Sequence, residues 1–391
     1  MRFRKWFVTC IVTIAAMMGG ALIAEANANG ELTSIIEVQK YYRSIHIMAM
    51  LLVGFGFLMV FVKKYGRSAI TATYLLVSIS IPLYFLKDSL GLLGGVDSDI
   101  DRLILAEFAA ASLLICAGAV LGRLKMHQYL LLGLLFVPCY ALNEWLLLSG
   151  GLGMIPEGNF VDTGGSIVIH AFGALFGIGA AYSMTTKKEY QTPIGSDNSS
   201  DRFSLLGSMV LWVFWPSFCA ALVAPKDIPT TIVNVILALC GSTIATYIAS
   251  LKLRGKISIA DIANAALAGG VAIGSTCDKV PSSYAFVIGI LAGILSTFGF
   301  AVIQNWFHNL GKKVDTCGVL HLHGLPGVFG GLIAIIAVDG ISKGNQIKGI
   351  FITIVVAILS GLIVGKVLSL SGRRQTPYID SEEFEIDERI I

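Results

Sequence analysis

Charged residues are scarce in this chain. Asp, Glu, Lys and Arg together make up 14% of its 391 residues, whereas hydrophobic residues make up 55%. The mean hydropathy is +0.78. A soluble globular protein needs a more polar surface, so this composition predicts a membrane protein with many spans.

Motifs for metals and nucleic acids are also missing. The seven cysteines are scattered with no CxxC spacing, which is typical of small core residues rather than of a disulfide framework or a metal site. An intramembrane metalloprotease is not indicated, because the chain has no HExxH motif. A membrane haem enzyme would need histidine pairs in a cofactor-binding context, which is not evident, so we expect no cofactor. With no basic stripe, we expect no nucleic-acid partner.

Residues 1–28 have the pattern of a secretory signal peptide. MRFRK is basic, Trp6 to Ile23 is mostly apolar, and Ala26-Asn27-Ala28 has the small-x-small form of a cleavage site. We expect cleavage after Ala28 and a mature N-terminus outside the cell. The alternative is an uncleaved first helix, which places the next segment on the same side.

Eleven later stretches are long enough to span a bilayer, since each is close to the roughly 20 residues required. They are 44–62, 68–86, 103–121, 128–149, 163–184, 204–223, 230–251, 259–278, 282–305, 316–338 and 349–370. The loops that would face the cytoplasm carry fifteen Lys and Arg residues against six on the other side. The positive-inside rule therefore predicts a multi-pass protein of the cell (inner) membrane, in contact with its lipids, with a cytoplasmic C-terminus. Residues 29–372 form the predicted transmembrane domain and 373–391 an acidic cytoplasmic tail.

One motif occurs twice in the chain. DTGGSIVIH runs from Asp162 to His170, and DTCGVLHLH runs from Asp315 to His323. In the predicted topology the first copy enters the membrane from outside and the second from the cytoplasm, five helices later. This pattern indicates an inverted repeat. The predicted fold is all-α, with eleven transmembrane helices: repeat one over about 40–185, repeat two over about 203–338, and an extra helix over about 349–370.

The geometry of this repeat lets the two histidines meet, provided that their helices are neighbours. Eight residues of helix descend about 12 Å, so from opposite faces of a core about 30 Å thick both His170 and His323 reach the midplane. Ionisable residues inside a membrane are expensive and therefore indicate function. The alternative is a pair of neutral core histidines, each bonded to a backbone carbonyl. His321 points about 200° away from His323 on a helix, so we expect it off their shared surface.

Other polar residues in the spans have weaker assignments. Asp162 and Asp315 stand where a carboxylate would accept the free N–H groups of a helix start. The alternative is that they attract a cation or tune the histidines. Glu144 lies near the outer end of the fourth span, and Asn264 lies within the eighth. We assign these four residues to a vestibule or to helix capping.

The chain resembles the Amt/Rh family of ammonium transporters, most closely the bacterial members of its Rh branch. The resemblance spans roughly residues 40 to 370 and is carried by NEWLLL, FVDTGGSIVIHAFGALFG, FWPSF, NAALAGGVAIG and DTCGVLHLHGLPGVFGG. It implies a homotrimer in which each subunit has its own hydrophobic pore.

The resemblance also implies roles for single residues. His170 and His323 match the twin pore histidines of that family. Phe108 and Phe218 match its two stacked phenylalanines at the outer mouth, and Glu144 matches an acidic residue of the outer vestibule. In the Amt branch a Trp and a Ser hold ammonium outside the gate. Here Leu222 stands one turn after Phe218, and the Trp has no clear counterpart.

An apolar pore lined by neutral imidazoles selects against ions by their desolvation cost. We therefore expect a channel or transporter, not an enzyme, that conducts ammonia derived from ammonium, with methylamine as a possible substrate. The alternatives are a channel for carbon dioxide or another small neutral gas, and an ammonium sensor without significant flux. The residues leave open whether a proton crosses together with ammonia.

Overall fold

A computed structural model describes residues 32–192 and 195–385. The predicted signal peptide and the last six residues of the tail lie outside the described residues. The chain divides into two units after Tyr42. Of the first unit, residues 32–42 are helical, with the rings of Tyr41 and Tyr42 5.9 Å apart. The second unit, from Arg43 onwards, contains every residue of the predicted site.

Within the described residues every regular element is a helix. In the described ranges, ten helices are long and apolar enough to cross a membrane, and one further apolar helix is shorter. In chain order they are α1 Leu32–Phe61, α2 Gly66–Ser89, α3 Asp99–Ala119, α4 Met126–Leu148, α5 Ser166–Met184, α6 Asn198–Cys219, α7 Pro225–Arg254, α8 Ile259–Ile273, α9 Ser282–Asn309, α10 Leu320–Ala337 and α11 Lys343–Leu370.

The helix α8 is shorter than the predicted span over 259–278. It ends at Ile273, and Gly274 and Ser275 instead bond residues just before α5. The Gly274 carbonyl accepts from the Gly164 N–H at 2.7 Å, and the Ser275 hydroxyl donates to Asp162 at 2.6 Å. These polar groups find partners outside the helix, which explains why the helix stops early.

The two halves of the bundle make equivalent contacts. In the first copy of the motif, Gly164 donates its N–H to the carbonyl of Gly274, just after α8. In the second copy, Cys317 donates its N–H to the carbonyl of Gly118 in α3 at 3.1 Å. The contact of α3 with the residues just before α10 is therefore equivalent to the contact of the end of α8 with the residues just before α5. This matches an inverted repeat of α1–α5 and α6–α10, with α11 left over.

Glycines allow the helices to approach closely. A Cβ on Gly173 would lie 2.5 Å from the carbonyl oxygen of Ser112, and one on Gly361 would lie 2.2 Å from that of Phe176. Such small-residue contacts replace the hydrophobic driving force that is missing between helices in lipid. They fix α5 against both α3 and α11.

The described part of the tail packs on the ends of α2 and α4. The Tyr378 N–H donates to Gly122 O at 2.8 Å. The Asp380 carboxylate accepts from the N–H groups of Arg67 and Ser68 at 3.0 and 2.9 Å, and the Glu383 carboxylate accepts from the Met126 N–H at 3.1 Å. Two helix N-termini are therefore capped by carboxylates from a distant part of the chain.

Candidate functional site

The two motif histidines meet in the middle of the bundle. The rings of His170 from α5 and His323 from α10 are stacked, with centroids 5.3 Å apart and planes 10° apart. Their Nδ1 atoms are 3.3 Å apart, within hydrogen-bond distance. Each residue is only 2% exposed. In such a pair one Nδ1 carries the proton and the other accepts it, which makes the two tautomers opposite.

A glycine with positive φ begins each histidine-bearing helix. The φ of Gly165 is 73° and that of Gly318 is 66°, a region that favours glycine. After each glycine the first turn is a π-helix, over Ser166–Ala171 and Leu320–Gly324. Such turns are frequent at functional sites. The repeated glycine therefore sets the same entry geometry for both histidines.

The two motif aspartates hold these helix starts. Asp162 accepts from the N–H groups of Ile167 and Val168 at 2.8–3.1 Å and from the Ser275 hydroxyl at 2.6 Å. Asp315 accepts from the N–H groups of the two residues that begin its helix, Val319 and Leu320, both at 3.0 Å. Carboxylates at this end of a helix offset its positive dipole. Both aspartates thus lie in capping positions.

Gly327 lets α10 cross α5 at the level of the histidines. A Cβ at this position would lie 2.4 Å from the carbonyl oxygen of Ser166 and 3.1 Å from the Ala171 nitrogen. Because His170 adjoins Ala171, this close crossing sets the distance at which His323 can approach it.

Aromatic rings cover one side of the histidine pair. The centroids of Phe108 and Phe218 are 4.7 Å apart with planes at 52°, and Phe218 is 6.0 Å from the His170 ring. Trp215 stacks on His170 at 5.5 Å and 20°. Sequence reasoning missed this contact. The signal was in FWPSF, since Trp215 and Phe218 are three residues apart and share a helix face.

An apolar cavity lies on the other side of the pair. It runs from His323 to Asn264 and is lined mainly by Phe55, Leu58, Leu114, Ile115, Val319 and Leu322. Asn264 also lines a second, more polar cavity with Asp201, Ser204, Gln304 and Thr316. The histidine pair therefore lies between the aromatic rings and a hydrocarbon-lined cavity, and Asn264 lines both this cavity and the polar one.

Glu144 is enclosed by two tyrosines. One carboxylate oxygen accepts from the Tyr84 hydroxyl at 2.5 Å and the other from the Tyr140 hydroxyl at 3.2 Å. The residue is 8% exposed. Both carboxylate oxygens are thus occupied inside the protein.

His321 lies away from the pair. Its ring meets Phe300 edge-on at 5.5 Å, and it is fully buried. Neither ring nitrogen has a hydrogen-bond partner among the described residues. In the part of the chain that the structure describes, no three His, Cys, Asp or Glu residues are placed to hold a metal ion.

Sequence comparisons find relatives of this chain among known proteins. A model of the Ammonium Transporter Family matches residues 5–389. The ammonium transporter Rh type A of Bos taurus is 36% identical over 386 residues, covering 93% of this chain and 88% of that protein. The ammonium transporter Rh type C of Xenopus tropicalis is 32% identical over 385 residues, covering 87% and 79%.

Solved structures show the same fold. Rh50 of Nitrosomonas europaea, described as a conducting channel of the Rhesus protein family, is 51% identical, with a TM-score of 0.88 over 91% of this chain and 95% of that one. Mep2 of Candida albicans has a TM-score of 0.72 at 16% identity, over 86% and 83%. That more distant likeness concerns the fold alone.

Proposed function

Because this chain belongs to the ammonium transporter family and conducts ammonia or ammonium across a membrane, we propose that uncharged ammonia crosses past Phe108 and Phe218 and then along His170 and His323. The observation that carries this proposal is the stacked histidine pair between an aromatic barrier and an apolar cavity. A narrow apolar path of this kind lets a small neutral molecule pass.

Desolvation is the basis of selectivity. Transfer of a bare ammonium ion out of water costs several kcal/mol or more of free energy, even after the protein relaxes. Ammonia carries no charge and is both a donor and an acceptor. The lining of Phe55, Leu114 and Leu322 offers nothing to replace the hydration of an inorganic cation. Cations are therefore rejected while ammonia passes.

The histidine pair supplies polar contacts in the part of the proposed path that excludes water most. When the two Nδ1 atoms share one proton, one ring has a bare Nε2 and the other an Nε2–H. Nε2 of His170 has no hydrogen-bond partner among the described residues. It is therefore available to ammonia, as acceptor or donor according to its tautomer. Two imidazolium ions side by side are strongly disfavoured, so the pair holds at most one added proton.

The topology and assembly follow the same reasoning. We propose that the protein lies in the cell (inner) membrane with its mature N-terminus outside and its tail in the cytoplasm, as the loop charges favour. The family resemblance supports a homotrimer with one path in each subunit. Methylamine would then be a slower substrate, since it adds one methyl group to ammonia.

Vesicle experiments test this function. Purified protein in liposomes receives an ammonium pulse while the internal pH and the membrane current are recorded. Passage of ammonia predicts fast internal alkalinisation without a current that scales with flux. A proportional current would instead mean that charge crosses. Flux no faster than in empty liposomes would favour a sensor, and a carbon dioxide pulse on the same vesicles tests that gas.

A further inference from the structure

A buried carboxyl group adjoins the aromatic barrier. Glu107 precedes Phe108 in α3 and is fully buried. Its Oε1 accepts from the Ser44 hydroxyl of α1 at 2.7 Å, whereas its Oε2 has no hydrogen-bond partner among the described residues. Buried polar atoms are nearly always satisfied, so an exception needs an explanation. An ionisable side chain in a span is a functional candidate by default.

Asp162 and Glu144, the two acids assigned above to a vestibule or to helix capping on this side, have no such vacancy. Both oxygens of Asp162 are engaged by backbone N–H groups and by Ser275. Both oxygens of Glu144 are engaged by Tyr84 and Tyr140. Among these three carboxyl groups, Glu107 therefore has the oxygen that is available to a passing molecule.

The titratable groups on the helices packed around α3 are engaged elsewhere. On α1, Arg43 donates to the Ala221 carbonyl and His46 bonds Ser217. On α2 and α4, Tyr84 bonds Glu144, while Lys87 and Asp88 pair with each other. On α5, His170 faces His323. None of these groups neutralises Glu107 by direct contact.

We propose that Glu107 takes the proton from ammonium at the outer mouth, an inference that rests on the proposed ammonia pathway. One N–H bond of ammonium breaks, its electron pair stays on nitrogen, and the proton binds an oxygen of the Glu107 carboxylate. Ammonia then moves on past Phe108 and Phe218. Glu107 later returns the proton to the outer solution. Access of ammonium to the carboxylate requires a side-chain movement, because Glu107 is fully buried.

Burial makes this transfer favourable. In water a carboxylate is too weak a base to deprotonate an ammonium ion. In an apolar surrounding an ion pair loses more hydration than it regains by attraction, so ammonia beside a carboxylic acid becomes competitive with ammonium beside a carboxylate. Proton transfer is efficient when the donor and the acceptor hold the proton about equally well. The Ser44 hydroxyl holds the carboxyl group in place meanwhile.

The test is the pH profile of Glu107→Gln. This variant keeps the size of the side chain and an acceptor for Ser44 but has no basic oxygen. Ammonia influx into liposomes is measured at constant total ammonium over a range of outside pH. Loss of a general base predicts flux lower by about 10²-fold at acidic pH. At alkaline pH, where the solution supplies free ammonia, flux approaches that of the wild type, which also shows that the variant is folded.

Two further variants complete the test. Glu107→Asp keeps a carboxyl group and should retain the wild-type shape of the pH profile at a reduced rate. A wild-type profile for Glu107→Gln, or an equal loss at every pH, would overturn the inference. So would an acid-side loss in Glu144→Gln in place of Glu107→Gln. Wild-type flux equal to that of empty liposomes would overturn the proposed function itself, which is a different outcome.

Discussion

Two glycines determine how the histidines enter the bundle. Gly165 and Gly318 both have positive φ, and a Cβ would lie 2.3 Å from Ile169 Cδ1 in the first case and 2.2 Å from Phe300 Cε1 in the second. We expect Gly165→Ala and Gly318→Ala each to destabilise the protein by about 1–3 kcal/mol. Thermal unfolding in detergent measures the change.

The control for these variants is Gly344→Ala. Gly344 has ordinary backbone angles, and nothing lies within 4 Å of its Cβ position, so its melting temperature should stay at or above that of the wild type. Equal losses in all three variants would mean that the backbone conformation of the motif glycines has no special importance.

A second residue-scale prediction concerns the Glu144 network. Tyr84→Phe removes the hydroxyl that donates to Glu144 at 2.5 Å and leaves a buried oxygen without its donor. We expect a loss of about 1–3 kcal/mol of stability. Tyr74→Phe is the matched control, because Tyr74 lies in the same helix and is 56% exposed. If both variants had the same melting temperature, the Tyr84 hydroxyl would contribute less to stability than its hydrogen bond to Glu144 suggests.

At the scale of elements, the tail stabilises the helices that it caps. Asp380 accepts from the first N–H groups of α2 and also from the Ser68 hydroxyl at 2.7 Å. We expect Asp380→Ala to cost about 0.5–2 kcal/mol, the usual range for a lost cap. Faster hydrogen exchange at Arg67 and Ser68 would locate the effect. Ser381→Ala, at an exposed neighbour, should leave exchange there unchanged.

Elements also show what sequence reasoning could and could not reach. The repeated Asp-to-His interval predicted that the histidines of α5 and α10 reach the same depth, because spacing and topology alone set it. That the two helices are neighbours was a condition of the prediction, and the structure supplies it. The early end of α8 was not predictable in the same way. Gly274 and Ser275 bond Gly164 and Asp162, more than a hundred positions away, and such partners are invisible to hydropathy.

The limit is similar for side chains of the site. The enclosure of Glu144 by Tyr84 and Tyr140 depends on how α2 packs on α4. Likewise, the vacancy on Glu107 depends on Ser44 of α1. Sequence places each of these residues in a span, but it does not say which neighbour faces it. The resemblance to known transporters pointed to Glu144 as a vestibule residue, and the unpartnered oxygen of Glu107 among the described residues is visible only in the packing.

For the whole molecule, the inverted repeat accounts for the proposed path. Two halves of opposite orientation each deliver one histidine to the middle, so the polar contacts stand at the largest distance from water on both sides. The halves are not identical, since the position of His321 corresponds to Val168 in the first copy. His321 packs on Phe300, away from the pair. It is therefore a buried histidine of the same motif that lies off the proposed path.

This third histidine permits the most direct test of the proposed path. Ammonia influx into liposomes is compared for His170→Leu, His323→Leu and His321→Leu, each checked for folding by thermal unfolding. We predict that ammonia flux, or its selectivity over inorganic cations, changes in the first two variants and remains at the wild-type level in the third. Wild-type flux and selectivity in both His170→Leu and His323→Leu would contradict a path along the histidine pair.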